Sequence, residues 1–365
     1  MLRQRVMEKF AELREAIDSI EVVDAHAHNI VSLDSTVPFL TCFSEATGDA
    51  LSYAPHTLCF KRSLREIAKL YGSELSLHGV QGYRSCFGLE SISTMCFQDA
   101  GICTILIDDG IELDKKHEIE WHRKFAPVVG RILRIEQLAE KILDEGSSDG
   151  LPWTLDKFMK DFVGKLNSVA AEIVALKSIA SYRSGLEINT NVTRKEAEEG
   201  LTDVLHAGNP VRITNKNFVD YIFTRSLEVA LCFDLPIQIH TGFGDKDLDL
   251  RLSNPLHLRN LLEDRRFSNC RIVLLHASYP FSKEASYLAS VYPQVYLDFG
   301  LAIPKLSIHG MISSVKELLE LAPLKKVTLV LFKNIENSCP GSWEEGASGS
   351  FMIAWSGFRR SGDCD

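Results

Sequence analysis

Short apolar runs rich in β-branched residues recur along the chain: Val22-Val23, Ile102–Ile107, Val128–Ile135, Ile173–Leu176, Pro236–Ile239, Ile272–Leu275, Val295–Leu297 and Val327–Phe332. Between them lie longer stretches whose apolar residues repeat at helical spacing, such as Trp153–Leu166, Arg194–Leu205, Asn217–Cys232, Leu256–Phe267 and Ser313–Leu321. Runs too short for helices, alternating with amphipathic stretches, predict βα units around a parallel sheet. Eight such units predict an α/β fold, a (β/α)8 TIM barrel. An open doubly wound sheet would give a similar count, but no G-x-G-x-x-G follows the first strand, which weighs against a dinucleotide fold.

From about residue 30 to 95 the alternation lapses. Ser, Gly, Pro and aromatic residues surround one helix-like piece, Ser63–Leu70. This predicts a long insertion after strand 1, either a lid or binding element or a subdomain packed on the surface. Met1–Ile20 carries Phe10, Leu13, Ile17 and Ile20 at helical spacing among charges, an amphipathic helix and not a signal peptide. Residues 333–365 are Ser- and Gly-rich, with isolated Trp343 and Trp355 and no sustained period. The expected organisation is one barrel domain, 1–332, and an atypical C-terminal tail, 333–365.

Composition narrows the partners. With 365 residues, 45% hydrophobic and 24% charged, the chain has ample material for one large core. A net charge of −9, with basic residues scattered among acidic ones, excludes the footprint of a nucleic-acid or anionic-membrane binder. No apolar run is long enough for a membrane span. Nine cysteines, with no C-x-x-C pair, read as reduced residues of a cytoplasmic protein. A small-molecule substrate is the expected partner, and a homo-oligomer is left open.

In a parallel barrel the chemistry gathers at the carboxyl ends of the strands. The first run ends Asp24-Ala25-His26-Ala27-His28, and strand side chains alternate, so His26 and His28 face the same way. The fifth run ends in His240 and the sixth in His276. A lone histidine at a strand end is more often a satisfied core or loop residue than a ligand; three strand ends carrying histidine reverse those odds. His26, His28 and His240 are expected to hold a divalent metal, zinc first, with positions left open for water or substrate. His276 is expected to be a fourth ligand or a catalytic residue orienting water or substrate.

The remaining seven histidines fall in the insertion, loops or helices, without such context. Lys177 ends the fourth run, and Arg183 follows nearby. Both are substrate-binding candidates for a carboxylate, Lys177 alternatively a carbamylated metal bridge; the bland readings are a salt bridge and a solvated arginine. Asp108, Asp109, Arg134, Glu136 and Asp298 end other runs and are weaker pocket candidates.

Together, Asp24-Ala25-His26-Ala27-His28, His240 and His276 resemble the amidohydrolase superfamily, in the branch called amidohydrolase-related or amidohydrolase 2. Val23-Asp24-Ala25-His26-Ala27-His28-Asn29 and the stretch from Leu176 to Leu186 are similar to the N-terminal domain of plant fluG-like, or nodulin/glutamine synthetase-like, proteins. The resemblance implies a metal-dependent hydrolase, usually zinc-bearing, acting on a small carboxylate-bearing substrate. Some relatives in the branch are non-oxidative decarboxylases at the same metal. The glutamine synthetase-like domain of the fluG-like proteins is absent from this stretch, so ammonia ligation is not expected of it.

The family pattern also calls for an aspartate ending the eighth strand. Here Lys326-Val327-Thr328-Leu329-Val330-Leu331-Phe332-Lys333-Asn334 supplies none, and none follows before Asp363. The tail is therefore expected to be an altered reading frame or splice product, and a catalytically impaired barrel serving as a binding or oligomerisation module is the alternative function.

Overall fold

The structure, a computed structural model, describes residues 22–146 and 150–327 together with Ala11 and Glu15. The expected N-terminal helix falls mostly outside these residues. So do the eighth apolar run after Val327 and the expected tail.

Seven strands follow the expected runs: β1 (Val22–Ala27), β2 (Ile102–Asp108), β3 (Val128–Arg134), β4 (Ala175–Ser178), β5 (Ile237–Ile239), β6 (Ile272–Leu274) and β7 (Val295–Leu297). They form one parallel sheet whose order in space is their order in the chain. A doubly wound sheet would reverse direction part-way, and this one does not.

The sheet curls. At a spacing of about 4.8 Å per strand, β1 and β6 would stand roughly 24 Å apart in a flat sheet. Instead His26, on β1, and His276, just past β6, have ring centroids 4.7 Å apart. Across the interior the Gln238 amide on β5 donates to the Ala25 carbonyl on β1 at 2.7 Å. Beyond β7, Leu297 makes a single parallel bridge to Val327.

The segment between β1 and β2 is more ordered than its sequence suggests. Three helices, α1 (Leu58–Tyr71), α2 (Leu77–Phe87) and α3 (Leu89–Ala100), follow two 3-10 turns at Phe39–Phe43 and Gly48–His56. The Thr57 side chain caps α1, and Gly72 ends it in the left-handed region. Phe43, Phe60, Ile67, Val80 and Ile92 give the segment its own apolar cluster. α2 buries only Val80, so no helical period shows in its sequence.

Outside the sheet lie α4 (Ile135–Glu145), α5 (Leu155–Val169), α6 (Arg194–His206), α7 (Lys216–Phe233), the short α8 (Arg259–Glu263), α9 (Ser282–Val291), α10 (Ala302–Lys305) and α11 (Ile308–Leu319). Phe158 and Phe162 of α5 and Phe218 and Phe223 of α7 are fully buried in one cluster with Leu176, Ile237 and Ile272. Each such ring contributes roughly 1.5–3 kcal/mol on burial. Inside the curl, Ala25, Leu106, Ile132 and Ala175 from β1 to β4 make a second cluster. The expected helix Leu256–Phe267 is broken into 3-10 turns around α8, because the Asn254 and Asp264 side chains bond nearby backbone N–H groups.

Candidate functional site

β1 carries the first histidines to the sheet's carboxyl edge. His26 is buried within the strand, and His28 lies one residue past its end, partly exposed, the two ring centroids 5.2 Å apart. His240 follows β5 and meets His276 edge to face at 4.4 Å. Four histidines from three strand ends therefore touch in one chain of rings.

His276 is held by an unusual backbone. His276, Ala277 and Ser278 all have positive φ, at 67°, 53° and 48°, a conformation costing roughly 1–3 kcal/mol for each non-glycine residue. Neighbouring groups hold it in place. Ala277 N donates to the Asp298 carbonyl at 2.6 Å, His276 N to Asp298 Oδ2 at 3.2 Å, and Thr241 Oγ1 to the Leu275 carbonyl at 2.7 Å. Gly242 has φ of 71°, and a Cβ there would stand 2.4 Å from the Tyr279 carbonyl oxygen, so only glycine lets the two loops approach.

The hydrogen bonds assign the imidazole protons. The Phe243 carbonyl can only accept, so His240 Nε2, 3.1 Å away, donates to it. Burial first, then the Lys177 charge, hold His240 well below the usual histidine range, so its Nδ1 is an acceptor. His276 Nε2 donates to that atom at 2.9 Å. His276 is likewise held neutral by burial and by the neighbouring His240 and Lys177. Its buried Nδ1 is left as an acceptor without a donor among the described residues.

The charges at the mouth come from β2, β3, β4 and β7. Lys177 Nζ lies 2.5 Å from His26 Nε2 and 3.8 Å from Asp108 Oδ2. Burial pulls the ammonium down to about 7, against the opposing Asp108 charge. Burial alone would raise Asp108, but Arg134 at 2.5 Å, Lys177 and His28 hold its carboxyl well below the carboxylate range. Burial pushes Asp298 up to about 6, opposed by the His276 and Gly300 N–H groups. His28 is pulled down to about 4 by burial, although Asp108 opposes this.

Two donor groups here could hold a metal ion: His26 with His28 and Asp108, and His26 with His276 and Asp298. Neither contains His240, whose two ring nitrogens face His276 and the Phe243 carbonyl.

The sequence profile of the Amidohydrolase family, Amidohydro_2, matches residues 215–328. A Lactobacillus casei protein described as a metal-dependent hydrolase is 26% identical, with a TM-score of 0.77 over 95% of this chain and 87% of its own. Protein fluG of Emericella nidulans is 31% identical over 349 residues, covering 87% of this chain. These matches are to the amidohydrolase superfamily, which the chain resembles. The chain spans about 40% of the length of protein fluG. Uronate isomerase of Thermotoga maritima shares the fold, at 12% identity and a TM-score of 0.57 over 95% of this chain and 87% of its own.

The histidines open into a cavity of about 900 Å³, within the usual size of a small-molecule site. Lys177 and Arg183 line it, as do Arg134 and Tyr182. Arg183 is paired with Glu140 at 2.9 Å, a partner 43 positions earlier in the chain. Tyr182 packs edge-on against His240, and Gly244 leaves room for its hydroxyl. Asp109 pairs with Arg131 at 3.0 Å, and Glu136 accepts from Ser178 Oγ at 2.6 Å. Among the remaining histidines His122 is fully buried, its Nε2 accepting from Ile30 N at 3.0 Å, a satisfied structural residue. The described residues contain no helix long and apolar enough to cross a membrane.

Proposed function

We propose that the chain is a metal-dependent hydrolase acting on a small carboxylate-bearing molecule at the sheet's carboxyl edge. The observation that carries this is His276 Nδ1, a buried acceptor with no donor among the described residues, set among three other histidines and two carboxylates. That donor chemistry fits a divalent cation, and zinc is the proposed one because imidazole and carboxylate ligands suit it.

His26 and His28 would hold the ion, with His240 completing the set by giving up one of its two present contacts. When bound, the metal supplies a more acidic water and polarises the substrate oxygen. His276 Nδ1 would accept a hydrogen bond from a water molecule held there and so orient it. Lys177 and Arg183 attract the substrate carboxylate, Arg183 from a side chain already oriented by Glu140. Burial of the rings excludes bulk water and strengthens each of these interactions.

The reading includes a closed eight-stranded barrel, supported by the parallel bridge from Leu297 to Val327. It also takes the described residues as one catalytic domain, and the cytoplasm as its place of action. Decarboxylation at the same residues is the second reading, and release of carbon dioxide instead of ammonia from candidate substrates separates the two. Metal analysis of the purified chain tests the centre. The expected result is about one equivalent of metal in the unaltered chain and its loss in the His26→Ala/His28→Ala variant; a metal-free unaltered chain supports a binding module instead.

A further inference from the structure

The cavity has two kinds of wall. One side carries the histidines, Lys177 and Arg134. The segment between β1 and β2 contributes apolar side chains, among them Phe39, Ile67, Tyr71 and Ile92. Six lysines and arginines line the cavity. Five already face a carboxylate: Arg134 and Lys177 share Asp108, Arg183 has Glu140, Arg212 has Asp247 at 3.9 Å, and Lys305 has Glu45.

Arg84, on α2, is the sixth, and no carboxylate among the described residues lies within ion-pair distance of it. Its guanidinium carbon sits 4.4 Å from the centre of the Phe39 ring, a cation–π contact that restrains the side chain. The groups in the cavity wall on which its charge acts are neutral: Cys42, Tyr71 and Cys96. A cation oriented by a ring, set in an apolar wall and lacking an anion is a ready carboxylate subsite.

We propose that Arg84 binds a second carboxylate of the substrate, at the far end of an apolar body that lies along Phe39 and Ile92. The inference rests on the proposed function, in that the first carboxylate is the one held near Lys177. It narrows the substrate class to elongated dicarboxylates with an aromatic or aliphatic middle. Short acids fill little of the cavity and leave Arg84 without a partner.

Calorimetric titration of the full zinc-supplemented chain with phenylbutyrate and its para-carboxylated analogue tests this, because the two differ only in the outer carboxylate. The analogue is expected to bind about tenfold tighter, the effect of one charge-assisted hydrogen-bonded pair. In the Arg84→Met variant that ratio falls to about one, while Arg84→Lys retains part of it. The ratio is internal to each protein, so a loss of folded material does not imitate it. Equal binding of both acids to the unaltered chain, or a tenfold ratio persisting in Arg84→Met, overturns the role of Arg84 alone. Binding of neither acid overturns the carboxylate reading beneath it as well.

Discussion

Lys177 Nζ lies 2.5 Å from His26 Nε2, so one imidazole lone pair that a metal would use is already committed to an ammonium group. A divalent ion must displace this contact and sit beside a like charge. Lys177→Met keeps most of the volume and removes both obstacles. Cobalt titrations are expected to show affinity rising by about tenfold or more, as one lost charge contact at close range implies. A fall in affinity would make the lysine a support of the metal, as a carbamylated bridge would be.

Arg134 and Asp108 are a second coupled pair, joined at 2.5 Å with 12% and 0% side-chain exposure. Arg134→Met leaves a buried carboxylate whose nearest remaining cation among the described residues is Lys177, at 3.8 Å. The expected cost is about 3 kcal/mol, because a buried charge losing its partner keeps its desolvation penalty. Adding Asp108→Asn removes the stranded charge and is expected to restore much of the loss. Urea unfolding of the two single variants and the double variant measures the coupling, and strictly additive costs would count against it.

Much of this architecture is readable in the chain because each feature is local. Seven apolar runs coincide with strands, since a buried parallel strand needs a continuous apolar stretch and little else. That His26 and His28 share a side follows from the strand period. What escaped is non-local. The Glu140 partner of Arg183 and the Asp108 partner of Arg134 are set by which strand ends meet in space. The contacts of His240 to His276 and to the Phe243 carbonyl are likewise set by loop geometry. Arg84 lay in a stretch without visible period, because the helix that carries it buries one residue.

The loop geometry makes its own prediction. Gly242→Ala places a Cβ 2.4 Å from the Tyr279 carbonyl oxygen at a φ of 71°. Clash and left-handed strain together are expected to cost about 3 kcal/mol or more. The displacement reaches His240, two residues away, so bound metal should fall along with the melting temperature. Gly208→Ala, at a φ of 113° with nothing within 4 Å, is the control for backbone strain without a clash. If it loses as much metal as Gly242→Ala, the loop contact is not what holds His240.

Glu136 carries the pH prediction. Burial raises its carboxyl above the usual value of 4.5, against the lowering effect of the Ser178 hydroxyl and the Ile179 N–H. The folded state therefore binds the proton more tightly than the unfolded state. Its stabilising contribution is complete below the unfolded pKa and is lost as pH rises through the folded one. Glu136→Gln keeps an acceptor for Ser178 Oγ and cannot ionise. Its melting temperature relative to the unaltered chain is expected to rise as pH increases from acid to neutral and then level off. Groups elsewhere titrate in both proteins and cancel in the difference. A gap that stays constant across that window, or narrows as pH rises, would show that Glu136 ionises without penalty where it lies.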